Sequence, residues 1–435
     1  MTCPTDAVDG RVAAAPLGAV QSLAFISSIG TATITNGVYF LARQACGFSD
    51  TENFALGTML GLLYIPGAAF VGPLCRRLAG PGRPLSTRVV LAGLIVLMSV
   101  AACLPVLATA ISGPGRAGAW GVWLCVAIYS PLSGAFWPIV ESYLSGGRSG
   151  AALRGAVGRF NIVWSSAVVA AAWAMAPGLE RAPLVILAVF AGFQLLGLLC
   201  AWRMGREPGE HIAEHHEPHP PAYHALLGAF RILLPTSYFV LSAWSPYAPR
   251  ALEDLGVAVA WHTPLAGAWM LSRVAVFAIM ERWHGWHGRW TPAIVGAFSL
   301  GGGFALGVMA PVLGESGAVV FVAGLAAMGV GMAIIYAAAL YYVLEVGKAE
   351  IDAGGSHEAL IGVGFVSGPA CGLAVSGLVG AGLVPGGWSS SGWNRVLMLA
   401  LVGVVLVGVG VATLRRVVRE LARARAGRTG ERAGT

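Results

Sequence analysis

The sequence predicts an all-α polytopic membrane protein with twelve transmembrane helices in two six-helix lobes, a 6+6 repeat. Three observations carry this expectation. The 435-residue chain is 57% hydrophobic and 11% charged, with mean hydropathy +0.74. A soluble domain is nearer 45–50% apolar and about 25% charged. Apolar runs of the ~17–25 residues that cross a bilayer as a helix recur along the whole chain. They are too long for barrel strands, which need about 9–11 residues of alternating polarity. Finally, the longest polar interruption, residues 203–224, separates six runs from six.

Taken in order, the spans centre near Ser28, Leu63, Ser99, Tyr129, Val168, Gly192, Pro235, Trp269, Leu300, Gly331, Ala370 and Val405. Ahead of the first, MTCPTDAVDGRV lacks a basic start followed by an apolar core, so no cleaved signal peptide is expected. The 61 Gly and 24 Pro are helix breakers that membrane helices tolerate. Seven cysteines are scattered with no CxxC, which reads as single thiols and not as disulfides or a metal cage.

Lys and Arg in the short loops set the orientation. With the N-terminus inside, 20 of the 27 fall on the inner side and five on the outer. Both termini are therefore expected in the cytoplasm, the membrane being a bacterial inner (plasma) membrane. The net charge of +7 reads as topology plus a basic tail, residues 415–435, at the anionic leaflet, and not as nucleic-acid binding.

The halves repeat one another. The loop after span two reads GPLCRRLAGPGRPLSTR and the loop after span eight reads FAIMERWHGWHGRW; each helix ends on an Arg (Arg77, Arg282) and continues through Gly to further Arg. After span four comes WPIVESYLSGGRSGAALRGAVGRF, and after span ten YYVLEVGKAEIDAGGSHEALIGVGF. Glu141 lies 19 residues before Phe160, and Glu345 lies 20 before Phe365. Parallel six-helix repeats are a transporter architecture.

At these residues the chain resembles the major facilitator superfamily, whose signature between helices two and three runs roughly G-x-x-x-D-R-x-G-R-R. Gly72 and Arg77 match it, and Arg76 replaces the acid; the second repeat restores the acid in Glu281-Arg282, followed by Gly285, Gly288 and Arg289. No substrate-specific motif identifies a subfamily. The resemblance implies lobes at residues 1–202 and 225–414 joined by a cytoplasmic linker, 203–224. It implies a central cavity lined by helices one, four, seven and ten. Helices two and eleven, and five and eight, would face each other between lobes that rock about a midplane site.

On that frame, candidate substrate-binding residues are Tyr129, Ser133, Trp137, Asn161, Tyr238, Trp269, Arg273 and Tyr336, with Thr31, Thr35, Trp164 and Ser242 nearby. Aromatic rings with hydroxyls suit a small polar organic solute; ordinary core packing is the competing reading, above all for the Trp residues. Arg273 is the deepest intramembrane charge and could hold a substrate anion or bond helix ends. No Asp or Glu lies mid-membrane in spans one or seven, which lowers the case for proton coupling; Glu141, Glu345 and His262 could still titrate.

Gly57-x-x-x-Gly61 and Gly364-x-x-x-Gly368-x-x-x-Gly372 are small-residue faces, for either packing within a lobe or a sliding interface between lobes. Charges at the cytoplasmic helix ends are expected to form a cross-lobe gate: Arg76, Arg77, Glu141, Arg154, Glu281, Arg282, Glu345, Glu350 and Asp352. Capping of helix ends inside each lobe is the alternative.

The linker's His211, His215, His216 and His219 lie among prolines and read as a solvated tract, with Zn or Ni binding by His211 and His215 at i, i+4 as the alternative; on the solvated reading no metal and no cofactor are expected. His357-Glu358 does not complete HExxH, and neither a nucleophile elbow nor a P-loop occurs. The chain is thus expected to be no enzyme and no ATP-driven pump. The expectation is a secondary transporter of a small polar organic solute, working as a monomer in the lipid bilayer. A non-transporting sensor, or a lipid or drug exporter, on the same fold is the alternative.

Overall fold

The structure, a computed structural model, describes residues 13–79, 82–210, 221–346, 351–385 and 389–433. Among the described residues, twelve helices are long and apolar enough to span a membrane. They are α1 (Leu17–Cys46), α2 (Asp50–Leu78), α3 (Thr87–Ser112), α4 (Gly115–Ser145), α5 (Gly150–Leu179), α6 (Pro183–Trp202), α7 (Ala222–Trp244), α8 (Val259–Arg282), α9 (Thr291–Val312), α10 (Gly314–Val343), α11 (Gly354–Gly380) and α12 (Gly392–Arg416). The last helix continues past the apolar stretch to Ala433. Among the described residues the only β feature is an isolated bridge, Ala79–Leu85.

Local chemistry sets the helix starts. Ser49 and Glu52 form a reciprocal capping box at α2, and Ser86 accepts from the Val89 N–H at α3. α6 and α9 begin with Pro at the first turn, where a missing N–H costs nothing. Inside α1, residues Thr33–Gly37 form a π turn.

Helices α1–α6 and α7–α12 make the two lobes. Within each lobe, glycine lets backbones touch where lipid offers no hydrophobic drive for association. A Cβ on Gly134 of α4 would lie 3.0 Å from Ala68 N of α2, and one on Gly331 of α10 would lie 2.5 Å from Gly296 O of α9. Between the lobes α2 packs on α11 and α5 on α8, the pairs that the resemblance implied.

The small-residue faces divide between the two readings. Gly61 abuts the backbone of Phe365 and Val366, Gly57 meets Pro369, and Gly372 meets Phe54; these contacts cross the interface. Gly364 and Gly368 instead face the Pro235 and Phe239 carbonyls of α7, inside one lobe. A helix has two sides, and α11 spends one on each neighbour.

The end of the bundle where α1 begins is here called the terminal face. Arg148, in the α4–α5 turn, donates to the Tyr143 and Leu144 carbonyls at 3.2 and 2.8 Å and to the Ala15 carbonyl. These bonds tie its own lobe together.

The α8–α9 turn on this face is built on aromatic rings. Trp286 Nε1 donates to the Met280 carbonyl at 3.2 Å, Gly288 N donates to the Tyr342 hydroxyl at 2.9 Å, and His287 stacks on Tyr341 at 4.1 Å. Burial, followed by the charges of His284 and Arg154, pushes the His287 pKa down to about 4. The folded protein therefore refuses a proton that the unfolded chain takes up near 6.5. Stability from this group should be full above about pH 6.5, fall as pH drops toward 4 and level off below, a loss of about 1–2 kcal/mol after solvent screening of the half-exposed ring is discounted. Melting His287→Phe beside wild type from pH 7 to 4 checks this. The difference in Tm should change across that window, and parallel curves would remove His287 as the cause.

An interlobe cavity with a buried arginine

The π turn adds a residue to one turn of α1, a device common at functional sites. Ser28, Thr31, Ala32, Thr35 and Asn36 recur at ordinary helical spacing and share a single wall. Thr35 Oγ1 donates to the Thr31 carbonyl at 2.9 Å, and Asn36 Nδ2 donates to Thr35 Oγ1 at 2.9 Å.

That wall closes a cavity of about 100 Å³ between the lobes. The other walls are helical stripes at i, i+3/i+4 spacing. α4 presents Trp137 and Glu141; α5 presents Phe160, Trp164 and Val168; α8 presents Trp269, Met270 and Arg273; α11 presents Glu358, Ile361 and Phe365. Tyr64, Tyr238 and Tyr336 come from α2, α7 and α10.

Arg273 is 1% exposed. Its guanidinium carbon lies 4.6 Å from the Trp164 ring centroid, 4.8 Å from Tyr336, 5.2 Å from Phe277 and 5.9 Å from Trp269. Nη2 makes a long 3.5 Å bond to the Tyr238 hydroxyl, and Nε has no partner among the described residues. No carboxylate among them pairs with it. Aromatic faces stabilise a desolvated cation by about 0.5–2 kcal/mol each, which is small beside the cost of burying an unpaired charge. An arginine cannot escape by losing its proton. The guanidinium thus faces the cavity with donor capacity unused among the described residues.

Two carboxylates face the same space. Glu358 is 5% exposed and accepts a hydrogen bond from the Tyr64 hydroxyl across the lobe boundary. Glu141 lies against the start of α11, where a Cβ on Gly354 would be 3.0 Å from its Oε2.

A smaller hollow, sharing Ala32, Asn36, Val168 and Trp269 with the cavity, extends toward the end opposite the terminal face, lined by Phe40, Met175, Trp244 and Thr263. Ion pairs close over it. Arg43 of α1 grips Glu253, in the short helix Ala248–Asp254, by two bonds of 2.5 and 2.6 Å, and holds Asp50 at 2.7 Å. Phe40 packs on His262 and Trp173 on Trp261 across the same seam. His262 is fixed by a 2.9 Å contact to the Val257 carbonyl.

The structure sorts the candidates. Trp137, Tyr238, Trp269, Arg273 and Tyr336 line the cavity, as do Thr31, Thr35 and Trp164. Three of the residues expected to bind substrate do not. Tyr129 is buried in the first lobe, 3.5 Å from Thr31 Oγ1 and bonded at 3.2 Å to Gln194 Oε1. Ser133 is buried on another face of α4. Asn161 accepts from Trp164 Nε1 at 3.2 Å, so it steadies a wall residue without reaching the cavity. Ser242 also lies off the wall.

Among the expected gate residues, Arg76, Arg77, Arg154 and Arg282 are exposed at the terminal face. Glu281 of α8 packs over Gly158 of α5, across the interface. Glu350 and the side chains of Glu345 and Asp352 lie outside the described residues, as does the His tract at 211–220. Glu141 departs from the expectation: it faces the cavity, because it shares a helix stripe with Trp137 one turn away.

Sequence reasoning missed Glu358 and the Arg43–Glu253 latch. Glu358 was legible as the first member of a Glu358, Ile361, Phe365 stripe. The latch joins residues 210 positions apart, and no local signal marks it.

Two six-helix lobes around an interlobe cavity are the fold that the sequence resemblance implied. The solved structures bear this out. The chain is similar to the nucleoside transporter NupG, with 14% identity over 92% of this chain and 98% of that one, TM-score 0.61. It is also similar to a bacterial homologue of the human lysosomal transporter Spinster, solved inward-facing and unoccupied, with 14% identity over 93% and 97% of the two chains, TM-score 0.64. By sequence, no protein-family description and no curated protein matches the chain.

Proposed function

We propose that the chain is a secondary transporter that carries a small polar organic solute bearing an anionic group, by alternating access of the two lobes about the cavity. The moving units are residues 1–202 and 225–414, with 203–224 as the link. The observation that carries the reading is Arg273, a fully buried guanidinium with no carboxylate partner among the described residues, facing a cavity between the lobes. Trp137, Trp164 and Trp269 offer flat faces to the solute's carbon skeleton. On the charge distribution of the loops, the terminal face is cytoplasmic and the Arg43–Glu253 latch is periplasmic. The cytoplasmic gate of Arg76 and Arg77 with Glu345, Glu350 and Asp352 completes the cycle on the other side.

The test is counterflow of radiolabelled organic anions, carboxylates and phosphate esters, in proteoliposomes. Saturable exchange is expected for at least one of these classes and none for neutral or cationic analogues. Arg43→Glu should open the periplasmic side and cut exchange at least several-fold, and adding Glu253→Arg should restore part of it. No exchange of any anion, with the protein folded, would overturn the reading.

A further inference from the structure

We propose that the hollow beyond Trp269 is a subsite for an apolar arm of the solute, so that the chain carries amphipathic anions: an anionic head on Arg273 and a short hydrocarbon arm in the hollow. The proposal rests on the transport reading above and names its substrate class.

Hollow and cavity are continuous, since Ala32, Asn36, Val168 and Trp269 line both. Trp269 stands one helical turn from Arg273 on α8, and the guanidinium carbon lies 5.9 Å from its ring centroid. Beyond that ring the hollow adds about 40 Å³. Along α8 it reaches Thr263, roughly 9 Å past Trp269 at the helical rise. A head group on Arg273 therefore has the mouth of the hollow within a few carbon atoms.

The two compartments differ in chemistry. Arg273, Glu141 and Glu358 face the cavity, whereas no charged side chain lines the hollow among the described residues. Phe40, Met175, Trp244 and Ala266 are among its walls. Its polar side chains are nearly all engaged. Asn36, at the junction, donates to Thr35 Oγ1 at 2.9 Å, and Ser245 Oγ donates to the Leu241 carbonyl at 2.9 Å. Thr263 Oγ1 is buried with no partner among the described residues. An ordered water needs about two to four polar partners, and one unused hydroxyl is too few. The space suits hydrocarbon instead, with room for about three groups the size of water. Phe40, Met175, Trp244 and Thr263 are buried, so the hollow is not a lipid-facing groove. The Arg43–Glu253 latch closes over it. With the latch shut, the hollow opens into the cavity, and its occupant is part of whatever the cavity holds.

Calorimetric titration of the full chain in lipid nanodiscs tests this with n-alkyl carboxylates, acetate through octanoate, after subtraction of protein-free nanodiscs. Affinity should rise about three- to fourfold per methylene, the transfer gain of a buried CH2, and level off once the hollow is full. Ala266→Leu, which fills the hollow, should bring the levelling to a shorter chain. Met175→Ala, which enlarges it, should move the levelling to a longer chain, a gain that a misfolded protein would not show. Carboxylates that bind with no gain per methylene would overturn the arm subsite and leave the anion reading standing. A levelling point unmoved by both substitutions would place the arm elsewhere and overturn the subsite equally. The n-alkanols of the same lengths carry the arm without the charge. Alkanols that match the carboxylates at every length, and still respond to both substitutions, would keep the subsite and sink the anionic solute. No binding in either series would overturn both.

Discussion

Arg273→Met should abolish binding of an anionic solute and raise the melting temperature of the solute-free protein. The two effects have one origin. Arg273 is buried, always charged, and unpaired by any carboxylate among the described residues. Four rings and one long hydrogen bond offset part of its desolvation. Replacing a buried ionic group by an apolar one of similar length stabilises by about 1–4 kcal/mol in other proteins; losing the ring contacts trims this to about 1–2 kcal/mol here. Truncating a buried charged contact to a ligand costs about 2–5 kcal/mol, or about 30- to 5,000-fold in affinity. Calorimetric binding of the solute identified by counterflow, with melts of the same preparations, measures both. Affinity within a few-fold of wild type would remove Arg273 from the site. Lost affinity with a lowered Tm would mean that Arg273 holds the lobe together instead.

Gly61→Leu should separate α2 from α11 without unfolding either lobe. The missing Cβ is what lets the two backbones touch, since one at Gly61 would strike the Phe365 carbonyl and Val366 N. Backbone cannot yield as a flexible side chain does, and overpacking of this kind costs about 1–3 kcal/mol. That is the scale of a two-state balance between lobe arrangements. The substitution should therefore shift the population by about 5- to 150-fold toward the state with α2 and α11 apart, and slow counterflow accordingly. Gly368→Leu is the contrast. It meets the Phe239 carbonyl inside one lobe, so it should lower folded yield and leave the interlobe distance of the surviving protein unchanged. Spin-label distances between α2 and α11 decide the matter. Equal distances in Gly61→Leu and wild type would mean that this seam does not move.

The legible part of the site was the part written in helical periods. Trp269 and Arg273, Thr31 and Thr35, and Tyr238 and Tyr336 sat at midplane on spans that a 6+6 repeat turns inward, and they line the cavity. Tyr129 and Ser133 lay at the same depth and were equally eligible, yet they face the interior of their own lobe. Depth along a helix follows from sequence position at about 1.5 Å per residue. Azimuth does not, because in an apolar environment every face of a helix can be greasy and the polar side need not face the cavity. Glu141 shows the limit from the other direction. Its place at the end of an apolar run suggested a gate, and its azimuth beside Trp137 put it in the cavity wall.

What the sequence determined by itself was the membrane, the number of spans and the pairing of the halves. Each follows from short-range chemistry: runs of apolar residues, and the recurrence of one helix-end, loop and helix-start unit. What only the tertiary structure decided was which residues meet across the seam: Tyr64 with Glu358, Arg43 with Glu253, and Gly61 with the Phe365 backbone. Those partners are separated by 294, 210 and some three hundred positions. Their meeting depends on how two finished lobes dock. That docking is set by close backbone approach at a few glycines and by the summed shape of both surfaces, and no local pattern in the chain encodes it.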